Sequence, residues 1–73
     1  MYNCEMISVV SSNVAEVGYD EEFQLLYIRF NTNCLYSYKG VPKMEYEALL
    51  NASSVGRYLA RNIKNIYPYE RYE

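Results

Sequence analysis

LLYIRFNTNCLYSYKGVP, Leu25 to Pro42, decides the fold. Its first six residues alternate, with Leu26, Ile28 and Phe30 on one face and Leu25, Tyr27 and Arg29 on the other, the period of a half-buried strand. Asn31-Thr32-Asn33 follows, and asparagine tolerates positive φ, so these three residues read as a hairpin connection. Cys34 to Lys39 alternates again, placing Cys34, Tyr36 and Tyr38 on one side and Leu35, Ser37 and Lys39 on the other. Gly40 ends that strand, and Pro42 suits the first turn of a helix, where a missing N–H costs nothing.

Working outward, VAEVGYD (Val14 to Asp20) also alternates, with Ala15, Val17 and Tyr19 on its apolar face, and Asp20-Glu21-Glu22 reads as a polar turn. MISVVSS before it is a short strand or extended lead-in. After Pro42, PKMEYEALLNA puts Tyr46, Leu49 and Leu50 on one helical stripe. Ser53 and Ser54 are natural N-caps for a second helix. In that helix Val55, Tyr58, Leu59, Asn62, Ile63, Ile66 and Tyr67 keep helical spacing up to Pro68. A half-buried sheet must cover one face, and these helices are the cover available. The expected fold is α+β: a small antiparallel β-meander of three to four strands followed by two C-terminal α-helices packed on one face. Residues 68–73 are expected to form a poorly packed tail.

At 73 residues the chain is a single domain with a thin core, and its ten tyrosines and two phenylalanines supply much of the area it can bury. Tyr36 and Tyr38 lie on the more apolar side of their strand, so their rings should pack under the helices with hydroxyls reaching polar partners or the rim. No apolar run approaches the roughly 20 residues of a membrane span. Cys4 and Cys34 form no CxxC pair, and no signal-peptide pattern opens the chain, so a cytoplasmic protein with reduced thiols is expected.

Enzyme chemistry has little to stand on. The chain has no histidine and no glycine-rich phosphate loop, and its cysteines have no visible base partner. Two isolated cysteines make no ordinary zinc site, so no metal and no cofactor is expected. Charge is uneven: one arginine faces five acids in residues 1–38, whereas six cations face four acids in residues 39–73. Arg57, Arg61 and Lys64 recur at helical spacing away from the apolar stripe, with no acid between Asn51 and Tyr67. On the outer sheet face, Tyr27 and Arg29 lie beside Lys39. Cations next to a stacking aromatic suit single-stranded RNA, and three to five phosphate contacts would give weak, salt-sensitive binding. Ser54 and Gly56 read as structural, a cap and a close approach of the helix to the sheet.

The ordered set VSSNVAEVGYD, LLYIRF, LYSYKGVP and ALLNASSVGRYLARNIKNIY resembles the KTSC domain, from about Val10 to Tyr67. The matching positions include Ser11-Ser12, Gly18-Tyr19-Asp20, the YxY of Tyr36 and Tyr38, Val41-Pro42, and Ala52, Ser54 and Gly56. Two departures, Asn31-Thr32-Asn33 where a glycine would be usual and Tyr58-Leu59, bear only on local packing. That family occurs at the C-terminus of some lysyl-tRNA synthetases and as a free-standing domain in bacteria and phages. The resemblance implies weak binding of RNA or tRNA, and together with the missing catalytic motifs it makes a non-enzymatic binding module the expected function. The alternative is a protein-interaction module, such as a phage or prophage factor engaging a host protein through exposed tyrosines, with Tyr2, Tyr27, Tyr69 and Tyr72 the expected exposed set. Either would act as a monomer or a homodimer.

Overall fold

The protein is described by a computed structural model over residues 5–72. Five antiparallel strands form one sheet in the order β1-β2-β3-β4-β5. They are β1 (Ile7–Ser8), β2 (Val14–Asp20), β3 (Leu25–Phe30), β4 (Leu35–Lys39) and β5 (Tyr69–Arg71). The helices α1 (Lys43–Leu50) and α2 (Val55–Asn62) intervene between β4 and β5. The α+β expectation holds, with five strands rather than three or four, because both ends of the chain add an edge strand.

The central hairpin follows the alternation. Leu26 pairs with Tyr38 and Ile28 with Tyr36, which carries the inward residues of β3 across to those of β4. Its turn is made as asparagine chemistry suggests: Asn33 sits at φ 75°, and the Phe30 N–H is bonded to the Cys34 carbonyl at 2.9 Å. Gly40 at φ 76° then turns the chain out of the sheet, a backbone region that glycine enters without a side-chain clash.

In β2 the simple alternation fails. The register shifts between Val14 and Glu16, so Val14 pairs with Phe30 while Glu16 pairs with Arg29. This bulge at Ala15 brings Val14 onto the inner face with Val17, and both are fully buried. Period-two reading had Ala15 in that place, since a one-residue insertion leaves no mark in composition.

The core joins Val14, Val17, Leu26, Ile28 and Tyr38 of the sheet to Val41, Leu49, Val55, Leu59 and Ile63. Both helices therefore cover the same face. Ser54 caps α2, its Oγ accepting the Arg57 N–H at 3.3 Å. A Cβ on Gly56 would run into the Asn13 amide, and the Ser11 hydroxyl is close by, so the first turn of α2 approaches the β1–β2 loop as only glycine permits. Ser11 meanwhile bonds the Asn13 and Val14 N–H groups at 3.3 Å, which assigns it to the loop.

The second helix is shorter than its apolar rhythm suggests. It ends at Asn62, and the Leu59 carbonyl accepts the N–H groups of both Ile63 and Lys64, at 3.1 and 2.8 Å. The tightened end keeps Ile63 buried but leaves Ile66 64% exposed, outside the stripe it was expected to join.

The residues expected to form a loose tail make β5 instead. Tyr69 pairs with Tyr38 and Arg71 with Tyr36, and the Tyr72 N–H is bonded to the Leu35 carbonyl at 2.8 Å. Every residue of β5 is exposed, so backbone hydrogen bonds rather than side-chain burial hold it. Tyr2, Cys4 and Glu73 lie outside the described residues. Cys34 is a free thiol.

Candidate functional site

The inner sheet face is longer than two short helices can cover, and its uncovered end forms a groove of about 480 Å³. Phe30 of β3, Tyr36 and Tyr38 of β4 and Tyr69 of β5 supply its aromatic lining. Lys64 and Asn65 reach it from the turn after α2, and Asn13, Thr32 and Cys34 from two loops. The rings brace one another. Phe30 meets Tyr36 edge-on at 5.4 Å, and Tyr69 lies against Tyr36 at 5.5 Å and Tyr38 at 6.1 Å. Among the described residues no carboxylate lines the groove. On its rim the Arg71 guanidinium donates to the Cys34 Sγ at 3.3 Å.

The two motif tyrosines divide the roles expected of them. Tyr38 is 1% exposed and belongs to the core, whereas Tyr36 is half-buried and packs against the core from the groove side. Among the described residues the Tyr38 hydroxyl has no hydrogen-bond partner, yet no buried side-chain oxygen or nitrogen is left unsatisfied. The hydroxyl must therefore be the tip of Tyr38 that reaches the water of the groove.

Burial, and then the neighbouring Tyr36 and Tyr69, push the Tyr38 phenol above its ordinary pKa of 10.0. Burial also raises Tyr19, whose hydroxyl is bonded to the Val41 carbonyl beside a ring stacked on Tyr46 at 5.0 Å. Tyr58 is raised by burial and by its 2.9 Å bond to Glu45. All three hold their protons more tightly folded than unfolded, so stability is complete below about pH 10 and falls as pH rises through the folded values. Urea titrations between pH 8 and 11.5 should show this alkaline loss. In Tyr38→Phe the loss should be smaller, because one of the three titrating groups is gone.

The basic stripe of α2 is exposed as expected, and among the described residues Arg57, Arg61 and Lys64 make no ion pair. Its members do not share one hollow. Lys64 lines the tyrosine groove, whereas Arg57 and Arg61 line a shallower hollow of about 160 Å³ with Ser53, Ser54 and Tyr58.

The outer sheet face does not provide the platform expected of it. Tyr27 is only 6% exposed, because Tyr72 packs over it at 6.2 Å and bonds the fully buried Ser37 hydroxyl at 2.9 Å. Arg29 lies 3.6 Å from Glu16 and donates to the Asn33 carbonyl at 3.0 Å, and Lys39 lies 3.9 Å from Glu70. These residues point away from the helices, so Tyr27, Arg29 and Lys39 form no common surface with Arg57, Arg61 and Lys64. Of the tyrosines expected to be exposed, Tyr69 and Tyr72 are, at 61% and 46%. Tyr69 as a groove wall and Lys64 as its neighbour escaped sequence reading, since β5 was not foreseen. The acidic turn is committed to structure: the Asp20 carboxylate accepts the Glu22 and Phe23 N–H groups at 3.1 and 3.4 Å. Among the described residues no helix is long and apolar enough to cross a membrane.

Comparison with known proteins agrees with the fold. The KTSC domain family matches residues 10–67. An uncharacterized protein of Stutzerimonas stutzeri is 38% identical over 58 residues, covering 80% of this chain and 82% of its own. A protein of Tsukamurella paurometabola is 37% identical over 59 residues, covering 81% and 88%. The crystal structure of a KTSC domain protein from Yersinia pestis superposes with a TM-score of 0.93 at 28% identity, covering 97% of this chain and all of that one. The chain belongs to the KTSC domain family.

Proposed function

We propose that this KTSC domain is a non-enzymatic, cytoplasmic module that binds single-stranded RNA, including the unpaired regions of tRNA. The observation that carries the reading is the groove: four aromatic rings and Lys64 converge on it, and among the described residues no carboxylate enters its lining. Aromatic faces accept bases of any sequence, and an amine beside them neutralises phosphate. Arg57 and Arg61 add exposed positive charge on α2 in a separate hollow, which offsets locally the chain's net charge of −2. Duplex RNA fits this surface poorly, because a groove of this size takes unstacked bases rather than a helix.

Retardation of short single-stranded RNA at low salt tests the reading. The triple variant Arg57→Glu, Arg61→Glu, Lys64→Glu should bind at least tenfold more weakly. Its log Kd should also rise less steeply with log salt, by about 2 for three lost phosphate contacts at about 0.7 each. Wild-type protein that fails to retard RNA at low salt removes the proposal. Nuclease-resistant capture of a protein partner would favour the second reading, a protein-interaction module using the exposed edge of β5.

A further inference from the structure

A hydroxyl with no protein partner, at the floor of an aromatic groove, is an unusual place to leave hydrogen-bonding capacity. Phenylalanine would fill the same core volume without a polar tip, so the oxygen adds nothing to packing and offers one hydrogen-bonding group, held by water, to the groove. Tyr38 keeps the oxygen although its ring is fully committed to the core. Tyr69 lies tilted against both Tyr36 and Tyr38 and is itself 61% exposed, so much of its ring is open to a ligand. Asn13 and Asn65 also line the groove, and Lys64 brings a cation to it. The volume of about 480 Å³ lies in the range of small-molecule sites. A ligand matched to all of this is planar, has a polar edge and carries a negative charge beside the ring. A nucleotide has those three properties.

We propose that the groove takes one unstacked base of the bound strand, that Tyr69 stacks on it, and that the Tyr38 hydroxyl bonds its polar edge and so sets a base preference. This rests on the single-stranded RNA reading and sharpens it. Sites built around a buried hydroxyl discriminate strongly, because a ligand edge of the wrong polarity leaves the hydroxyl unpaired. Stacking alone, in contrast, serves every base.

The test measures binding of the hexanucleotides rA6, rC6 and rU6 to the full chain at fixed low salt, for wild type, Tyr38→Phe and Tyr69→Ala, each checked for cooperative unfolding. Wild type should separate the best from the worst of the three by tenfold or more. Tyr38→Phe should bring the three within about twofold of one another while leaving the salt slope unchanged. Tyr69→Ala, at an exposed position that does not threaten the core, should weaken all three by about tenfold, in line with about 1–3 kcal/mol per stacked base. If wild type binds all three within twofold, or if Tyr38→Phe keeps the wild-type ratio, the base-reading role is wrong while RNA binding stands. If wild type binds none of them, the RNA reading itself fails and takes this inference with it.

Discussion

Replacing Ile28 with alanine is expected to remove a large part of the folding free energy of this domain. Ile28 is fully buried at the centre of the sheet, between Val17 on β2 and Tyr36 on β4. Truncation of such a side chain costs about 2–5 kcal/mol, and the neighbouring strands cannot close over the cavity without breaking register. A 73-residue domain has roughly 4 to 11 kcal/mol in all. Urea unfolding should therefore show the midpoint fall by about a fifth or more at unchanged slope. Met44→Ala, at a residue 76% exposed on α1, is the control and should stay within about 0.5 kcal/mol of wild type. An Ile28→Ala protein within 1 kcal/mol of wild type would mean that this sheet face is not the core.

Deleting residues 68–73 is the second large effect. Little in that segment is buried, and an exposure argument alone would expect no consequence. The deletion nevertheless removes the Lys39–Pro68 and Tyr72–Leu35 backbone hydrogen bonds with the β5 ladder. It also uncovers Tyr27 and strips Ser37 of its hydroxyl partner. With about 0.5–1.5 kcal/mol per hydrogen bond and about 25 cal/mol per Å² of apolar surface re-exposed, the loss should be about 2–4 kcal/mol. Tyr72→Phe separates the contributions. It keeps the ring over Tyr27 and should cost only about 1 kcal/mol. A truncated domain as stable as wild type would show β5 to be decoration, and the Tyr69 wall of the groove would lose its anchor.

The two sites differ in how plainly the sequence marks them. Ile28 announces itself, because strict alternation over Leu25 to Phe30 leaves one choice of inward face. Nothing in Tyr-Glu-Arg-Tyr announces an edge strand, since Pro68 and the charged residues read equally well as a solvated end. Tyr27 illustrates the same point from the other side. It sits on the polar face of its strand, as alternation places it, and becomes buried because Tyr72, 45 residues later in the chain, lies over it. The basic stripe shows the limit in the helix. Spacing put Arg57, Arg61 and Lys64 on one exposed track, but the helix ends at Asn62 and delivers Lys64 to a different hollow from the two arginines.

Local pattern was enough for the central hairpin, the turn at Asn33, the cap at Ser54 and the choice of inward face on β3 and β4, because each depends on residues within one strand or one turn. The bulge at Ala15, the fifth strand and the groove depend on pairings between distant segments. Strand pairing is held by backbone groups that every residue carries, so side-chain identity barely encodes it. The groove exists because two short helices leave part of an aromatic sheet face bare, a matter of how far layers overlap, which no window of sequence contains.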